Sequence, residues 1–308
     1  MPVSEKAKTT VEVDGRKIVL SNLDKVLWPD DGFTKGDLIK YYTDVYPYLA
    51  MHLRGRPLVV TRFPGGINGK SFYQKNAPEG TPDWVHLHPW YSSHSERYID
   101  FILCNDLPTL VWLANQACIE LHPWMSRVDK LQNPDFIVMD LDPSEGATFN
   151  DVCDVAEVVH DVLEHFKLQF HLKTSGATGL HIYLPVTPVY TYEELRELAH
   201  LIAQAVVKLI PSKATIVRSV KDRGTKVYVD YLQNIQGKTV CSPYSVRPRP
   251  GATVSTPIEW KALRYTDPLD FNINTVPKRL EKEGDLFASV INHTQKVDVP
   301  WQQLKKAF

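Results

Sequence analysis

The stretch FIVMDLDP, residues 136–143, decides how the rest of the chain is interpreted. Residues 136–139 are apolar and predict a buried strand. Asp140 and Asp142 follow with one residue between them, so in a strand both carboxylates project from one face, with Cα atoms roughly 7 Å apart. Two carboxylates in this arrangement can share divalent cations. Because aspartate also ends strands and forms turns before proline, the pair alone is weak support for a metal site.

Helical and strand patterns alternate after this stretch. Apolar residues recur every three or four positions over residues 152–166, and a second helix is predicted from Tyr192 to Leu209. The predicted strands are LQFHLKT (168–174), LHIYLPV (180–186), ATIVRSV (214–220) and KVYVDYL (226–232). The order strand, helix, strand, strand, helix, strand is that of the split βαβ sheet, which RNA-recognition modules and many polymerase palms share. We therefore predict an α+β fold with such a palm over residues 134–235.

The segment before the palm begins with simpler elements. Residues 1–10 are polar and predict a disordered tail. The following residues, VEVDGRKIVLSN, alternate as a strand pair with Asp14-Gly15 at the turn. Thr34 is a suitable N-cap for an amphipathic helix over residues 34–53.

Asp230 is a third acidic residue that falls in a predicted palm strand. The alternation in VYVDY places it on the face opposite the valines, and a buried Asp in a strand is costly unless it is paired or binds a metal. Because the first and last strands of a split βαβ unit meet, three carboxylates could hold two cations about 4 Å apart for nucleotidyl transfer. Alternatively, Asp230 pairs with Lys226 or Arg223 at the surface.

A loop with two glycines and two hydroxyl residues, 175–179, joins two of the predicted strands. Its backbone N–H groups can approach an anion closely, because glycine has no side chain. His181 follows in the next strand. Short glycine-containing loops are also ordinary hairpin connections, so this signal is weak by itself.

Charge is distributed unevenly along the chain. Lys plus Arg number 35 and Asp plus Glu 36, so the net charge is -1. Residues 140–200 contain eleven acidic and three basic residues, whereas residues 208–264 contain eleven basic and three acidic ones. The basic segment suits a triphosphate and a nucleic-acid backbone.

Neither a membrane span nor a cysteine framework is predicted. No apolar run has the roughly 18 residues that a membrane helix needs, and the N-terminus lacks the apolar stretch of a signal peptide. The four cysteines show no CxxC spacing, which argues against a zinc knuckle or disulfide scaffold. We expect a soluble, cytoplasmic protein without a membrane partner.

The sequence resembles the polymerase domain of DNA ligase D, a branch of the archaeo-eukaryotic primase superfamily, from about residue 11 to residue 301. The matching motifs are Asp140-Leu141-Asp142-Pro143, Ser175-Gly176 with Gly179-Leu180-His181, and Val229-Asp230-Tyr231 with Gln233-Asn234. The resemblance implies one primase-polymerase domain over residues 11–308. Its parts would be an N-terminal portion (11–133), the palm (134–235) and C-terminal strands and helices that complete the fold (236–308).

The resemblance implies a role for each motif of the palm. Asp140, Asp142 and Asp230 would bind two divalent cations, Mn²⁺ or Mg²⁺, which align a primer 3′-hydroxyl with the α-phosphate of a nucleotide. The nucleotide would be held by Ser175, Gly176, His181, Lys238, Arg247 and His122. His122 precedes a proline, and a structural His-Pro turn is the alternative for it.

The resemblance also implies DNA contacts outside the palm motifs. Lys25 and Lys35 match lysines that bind the 5′-phosphate downstream of a gap, although either could be a plain surface residue. Phe72 and Tyr73 match an aromatic pair that stacks on template bases, and core packing is their alternative. Arg223 matches a residue of a mobile basic loop that completes the site when a primer arrives.

The implied activity is primer extension that fills gaps and processes ends in double-strand break repair by non-homologous end joining. Ribonucleotides would be preferred to dNTPs, and the implied partners are 5′-phosphorylated DNA, a separate DNA ligase and a Ku-type end-binding protein at a prokaryotic nucleoid. Two features depart from the family pattern. Thr178 stands where many relatives have lysine, and no ligase motif is present, since EVDG at 12–15 lacks the nucleophilic lysine.

Two other functions fit part of the sequence. A DxD glycosyltransferase would use Asp140 and Asp142 to bind a metal on a sugar nucleotide, but it leaves Asp230 and the basic segment unexplained. A non-catalytic module could instead recognise 5′-phosphorylated DNA ends with Lys25, Lys35 and the basic segment. Asp140→Ala would leave such binding intact, and the wild-type protein would show no extension.

Overall fold

A computed structural model describes residues 8–93 and 95–307. The first strands, β1 (Lys8–Val13) and β2 (Arg16–Ser21), form the predicted hairpin. Asp14 and Gly15 make its turn with φ angles of 46° and 73°, which is the left-handed geometry that two-residue hairpin loops require. The disordered tail predicted for residues 1–10 falls mainly outside the described residues. Residues 8–10 differ from that prediction, because they pair with β2.

The predicted helix near residue 34 is confirmed as α1 (Lys35–Leu53). The Thr34 side chain accepts from the Asp37 N–H and Asp37 accepts from the Thr34 N–H, so a complete capping box fixes where the helix begins. Two short strands, β3 (Val26–Trp28) and β4 (Phe33–Thr34), lead into it. Its apolar face is buried in the N-terminal core.

A five-stranded sheet forms the rest of the N-terminal portion. Its elements are β5 (Pro57–Arg62), β6 (Phe72–Gln74), β7 (His86–Ser92), β8 (Arg97–Leu103), α2 (Leu107–Asn115) and β9 (Cys118–Pro123). The strand order is β6-β5-β8-β7, and β9 also pairs with β5.

The palm is built on a six-stranded sheet. Its elements are β10 (Phe136–Pro143), α3 (Phe149–His165), β11 (His171–Thr174), β12 (Leu180–Pro185), α4 (Tyr192–Leu209), β13 (Ala214–Thr215), β14 (Val227–Asp230) and β15 (Pro257–Ile258). The sheet order is β13-β14-β10-β12-β11-β15. Helices α3 and α4 cover the face of β10 that carries Ile137, Met139 and Leu141, whereas Val138 and Asp140 lie on the opposite face.

The α+β class and the split βαβ palm are confirmed, but the strand predicted for residues 214–220 is wrong beyond its first two residues. Only Ala214–Thr215 pairs with β14. The carbonyls of Val217 and Arg218 instead accept from the Arg223 guanidinium, both at 2.9 Å. A side chain therefore satisfies backbone groups that a strand partner would otherwise satisfy.

Three helices end the described chain: α5 (Val276–Glu283), α6 (Ala288–Asn292) and α7 (Asp298–Ala307). Helix α7 packs on α4, and α5 packs on α1. All four cysteines are buried and free, as expected from their spacing. Within the described ranges, no helix is long and apolar enough to cross a membrane.

Candidate functional site

Three carboxylates share one face of the palm sheet. Asp140 lies directly opposite Asp230 across the antiparallel pair β10–β14, and Asp142 lies two residues further along β10. Cross-strand partners and residues two apart point to the same face, so the sheet itself brings the three predicted residues together. Asp140 is buried, with only 7% of its surface exposed.

The electrostatics of this group favour a bound cation. Burial, followed by the charges of Asp142 and Asp230, raises the pKa of Asp140 well above its ordinary value. Burial and the charge of Asp230 likewise raise the pKa of Asp142. The Oδ1 atom of Asp140 is buried and has no hydrogen-bond partner among the described groups. A divalent cation would neutralise this repulsion, so the residues fit the metal that the sequence predicts.

The carboxylates do not, however, form a closed ligand cage. In residues 8–93 and 95–307, no group of three or more His, Cys, Asp or Glu side chains is arranged as a ready metal site. Asp230 accepts from the Leu232 N–H at 2.8 Å and from the Gln233 amide and the Tyr228 hydroxyl, both at 3.2 Å. These neutral donors occupy its oxygens, in place of the surface ion pair with Lys226 or Arg223 that was the alternative.

His181 lies on the other side of Asp140, in β12, and is buried. Its Nε2 is 3.4 Å from Asp140 Oδ1, and its Nδ1 is 2.8 Å from the ammonium of Lys173. Burial, followed by the charge of Lys173, lowers the pKa of His181 well below its ordinary value. The neutral imidazole therefore joins the carboxylates to a buried lysine.

The loop between β11 and β12 is folded around Ser175. The Ser175 Oγ accepts from the N–H groups of Ala177 and Gly179, both at 3.1 Å. A Cβ at Gly176 would lie 2.7 Å from Arg247 Cγ, and a Cβ at Gly179 would collide with the carbonyl of Leu141. The two glycines are required because the loop packs directly on neighbouring backbone.

Thr178 lies on the outer side of the same loop, at a cleft of about 450 Å³. Arg249 and Gly176 line this cleft with it. The Arg249 side chain therefore supplies a positive charge beside the loop, although Thr178 stands where many relatives have lysine.

Arg247 and His122, both predicted to hold the nucleotide, are linked by Glu120. The Arg247 Nε is 3.1 Å from Glu120 Oε1, and the His122 Nε2 is 3.5 Å from Glu120 Oε2. Burial would raise the pKa of Glu120, but the hydrogen bond to His122 and the charge of Arg247 more than offset it, so the pKa is lowered. His122 is thus part of a charged cluster in β9 as well as a residue before proline.

Arg223 lies beside the acidic group. Its guanidinium stacks on the Tyr228 ring at 3.7 Å from the centroid, and its charge counteracts the upward shift of the Asp142 pKa. Lys238 is exposed on the loop that follows β14. The neighbouring Thr239 shares a hydrogen bond of 2.9 Å with the Tyr73 hydroxyl.

Phe72 and Tyr73 are surface residues of β6, with 46% and 57% of their surface exposed. Core packing, the alternative from sequence, does not apply to them. The Lys70 ammonium lies 5.6 Å from the centre of the Phe72 ring. The pair thus offers aromatic faces next to a cation.

Lys25 and Lys35 lie together, far along the chain from the palm motifs. The Lys35 N–H donates to the Lys25 carbonyl at 2.8 Å. Lys35 is only 4% exposed, and its ammonium contacts Asn115 Oδ1 at 3.0 Å, the Asn115 carbonyl at 3.1 Å and Ser21 Oγ at 3.4 Å. Burial, followed by the charge of Lys25, lowers its pKa. Lys35 is not a plain surface residue, whereas Lys25 is exposed and donates to the Pro64 carbonyl.

Sequence reasoning missed two buried residues of this region. Glu120 and Lys173 lie on strands that only the tertiary fold brings to Asp140. For Glu120 the available signal was a charged residue between two apolar ones, Ile119 and Leu121. Lys173 stands in LQFHLKT, which mixes polar and apolar residues and gives no such signal.

Comparisons with known proteins show the family of the chain. A family model described as the LigD primase-polymerase domain matches residues 34–287. The bifunctional non-homologous end joining protein LigD of Bacillus subtilis is 35% identical over 91% of this chain, and the multifunctional LigD of Mycolicibacterium smegmatis is 32% identical over 88%. The chain spans 45% and 36% of the lengths of these relatives.

A solved structure is similar over nearly the whole fold. The polymerase domain of Mycobacterium tuberculosis ligase D, in complex with DNA, superposes with a TM-score of 0.83 at 30% identity. The match covers 90% of this chain and 99% of that one.

Proposed function

Because the chain belongs to the LigD primase-polymerase family, we propose that it is a template-directed nucleotidyltransferase that extends a primer strand in double-strand break repair by non-homologous end joining. The observation that carries this proposal is the pairing of Asp140 with Asp230 on one side and with His181 on the other. Carboxylates beside a buried imidazole suit a metal-bound triphosphate.

Asp140, Asp142 and Asp230 are the proposed ligands of two divalent cations, Mn²⁺ or Mg²⁺. Bound there, the cations would lower the pKa of the primer 3′-hydroxyl and neutralise the leaving pyrophosphate. The raised pKa values of Asp140 and Asp142 support this assignment, because a cation favours the charged carboxylates that burial disfavours. Asp230 is oriented by its three neutral donors.

The proposed nucleotide site lies on the basic side of the carboxylates. Ser175 and Gly176 would contact the phosphates. The Ser175 Oγ accepts from two N–H groups, so its own hydroxyl hydrogen is available to donate to a phosphate oxygen. The groups proposed to neutralise or hydrogen-bond the triphosphate are His181, Arg247, Lys238 and His122. Glu120 would hold the side chains of Arg247 and His122 in place through its contacts with both.

The proposed DNA contacts are two pairs of residues in the N-terminal portion and Arg223 in the palm. Lys25 and Lys35 would bind the downstream 5′-phosphate, because they place two positive charges side by side. Phe72 and Tyr73 would stack on template bases, which suits their exposed rings. Arg223 would move from the Val217 and Arg218 carbonyls towards the primer.

The finer properties implied by the resemblance belong to the same proposal. The enzyme would prefer ribonucleotides to dNTPs and would act on gaps or ends that carry a 5′-phosphate. Its products would be sealed by a DNA ligase, and a Ku-type end-binding protein would recruit it.

The test is extension of a labelled primer on a gapped duplex with a downstream 5′-phosphate. Reactions would contain NTPs or dNTPs with Mn²⁺ or Mg²⁺, and Asp140→Ala would be compared with the wild-type protein. We expect extension by the wild type, faster with NTPs, and none by Asp140→Ala. Binding of the duplex without any extension by the wild type would contradict the proposal.

A non-catalytic end-binding module is the second function that an observation favours. Among the described residues, the Lys35 ammonium contacts neutral oxygens and lies near the charge of Lys25, so this site could bind a 5′-phosphate without the palm. In that case Asp140→Ala and the wild type would bind phosphorylated ends equally and neither would extend a primer.

A further inference from the structure

Lys173 is a buried lysine behind the proposed nucleotide site, and burial lowers the pKa of its ammonium to about 7. It lies in β11, opposite His181 of β12, and its surface is 0% exposed. In the described part of the chain, no carboxylate comes within ion-pair distance of its ammonium. Burial of an unpaired lysine costs free energy, so its retention in the core calls for a role.

Two hydrogen-bond partners and one aromatic ring surround the Lys173 nitrogen. One points to His181 Nδ1 at 2.8 Å, one to Ser255 Oγ, and the Tyr183 ring lies 5.7 Å from the nitrogen. Ser255 donates its own hydrogen to the Thr174 carbonyl at 2.8 Å. Ser255 must therefore accept from Lys173.

In its charged form Lys173 can only donate to His181 Nδ1, because an ammonium has no lone pair. An imidazole nitrogen that accepts a hydrogen bond has no hydrogen, so donation by Lys173 to Nδ1 leaves the proton on Nε2. Nε2 lies 3.4 Å from Asp140 Oδ1, the carboxylate oxygen without a hydrogen-bond partner among the described groups. The other tautomer would direct a lone pair at this carboxylate.

We propose that Lys173 is a positioning residue that holds His181 in the Nε2–H tautomer and so presents an N–H donor beside Asp140 to the triphosphate. The role towards the triphosphate rests on the proposed function. The tautomer itself is a property of the protein without nucleotide, and it can be measured separately.

The first test is ¹⁵N NMR of the protein labelled at histidine, recorded without nucleotide or metal. The His181 signals are assigned as those missing in His181→Gln. In the wild type we expect a protonated, pyrrole-type Nε2 and an unprotonated Nδ1. In Lys173→Met, which keeps a long unbranched side chain but has no donor, we expect the Nδ1–H form to appear.

Either of two results would overturn the proposal. One is a proton on Nδ1 in the wild type, which needs no variant to be folded. The other is an unchanged Nε2–H tautomer in folded Lys173→Met, since the lysine would then not control the ring.

The second test is a double-mutant cycle on primer extension. Lys173→Met should reduce kcat/KM for the nucleotide about 10- to 100-fold, as loss of a residue that orients a histidine commonly does. In the His181→Gln background it should have little further effect, because Lys173 acts through that ring. Lys130→Met, which changes an exposed lysine outside the site, is the control.

Additive losses in the cycle would contradict action through His181. Absence of extension by the wild type would instead count against the proposed function, and the NMR result would still decide the inference.

Discussion

Lys35 in the N-terminal portion and Lys173 in the palm are both buried lysines that lack a carboxylate partner among the described residues, yet their surroundings differ in sign. Lys35 is surrounded by neutral oxygens of Asn115 and Ser21 and by a second lysine, Lys25. Lys173 is separated from Asp140 only by the His181 ring. The described groups around Lys35 thus carry positive charge or none. The palm instead places a carboxylate and a lysine on the two sides of one imidazole ring.

This difference indicates what each region needs from a ligand. An anion alone would compensate the charges of Lys25 and Lys35, because the groups that the Lys35 ammonium contacts are neutral oxygens. The palm carboxylates repel an anionic phosphate, so a phosphate can bind beside them only when cations neutralise their charge. DNA binding and catalysis should therefore be separable by substitution, and the experiments below test that separation.

The largest expected effect is that of Asp140→Asn on catalysis. Loss of one central carboxylate should lower the rate of extension at least about 10³-fold, roughly 4 kcal/mol of activation free energy. Binding to a 5′-phosphorylated gap should remain unchanged. The measurement is single-turnover extension together with fluorescence anisotropy on the same duplex.

Asp161→Asn is the matched control, since Asp161 lies on α3 with 81% of its side chain exposed. Equal rates for Asp140→Asn and the wild type would place catalysis elsewhere. A parallel loss of DNA binding would show that the two regions are coupled.

Lys35→Gln should produce the converse result. Hydrogen bonds to charged groups contribute about 1.5–3 kcal/mol, so affinity for a 5′-phosphorylated gap should fall about 10- to 100-fold. Affinity for the same duplex with a 5′-hydroxyl should hardly change. Titrations of the two duplexes measure the difference.

Lys40→Gln is the control on the same helix, because Lys40 is exposed and paired with Asp44. If both duplexes lost affinity equally in Lys35→Gln, the lysine would contribute only general charge or stability.

Phe72→Ala should have a smaller effect, confined to the template strand. Stacking on an aromatic side chain contributes about 1–3 kcal/mol per base, so binding of a gapped duplex should weaken about fivefold or more. The loss should disappear when the template position in the gap is abasic. Tyr265→Ala, which removes a ring that is 89% exposed, is the control. Equal losses on normal and abasic templates would exclude stacking.

The smallest expected effect is on stability. Because burial and neighbouring charges raise the pKa of Asp140, the folded state holds that proton to higher pH than the unfolded chain does. The wild type therefore loses stability as pH rises above the ordinary range of an aspartate. Asp140→Asn has no such charge and should raise Tm by about 2 °C or more near pH 7, where 1 kcal/mol corresponds to roughly 2–4 °C.

Scanning calorimetry from about pH 4 to pH 8 would measure this difference. It should shrink towards acid pH, where the carboxyl is protonated in both states. A difference that is largest at acid pH would contradict the raised pKa.

Local sequence signals predicted the parts of the fold that depend on neighbouring residues. The bounds of α4 are those expected, because Thr191 and Glu194 form a capping box and Pro211 follows its end. The strand predicted for residues 214–220 was too long, since Arg223 rather than a strand satisfies its carbonyls. A contact between a side chain and backbone carbonyls does not change the pattern of apolar residues, so the sequence does not show it.

The same distinction applies to the site. The common face of Asp140 and Asp142 follows from the period of a strand, and their approach to Asp230 follows from the order of the palm elements. Glu120 and Lys173 could not be placed, because their contacts with Arg247 and His181 depend on the packing of separate strands.

Asn234 provides a way to observe motion at the edge of the palm. Its side-chain amide accepts from the Val138 N–H at 2.9 Å and donates to the Val138 carbonyl at 2.8 Å, so it continues the ladder after β14 has ended. Exchange of the Val138 amide hydrogen with solvent deuterium therefore requires residues 231–237 to open rather than a strand to separate. Its exchange rate would report how often the segment carrying Gln233, a donor to Asp230, leaves the sheet.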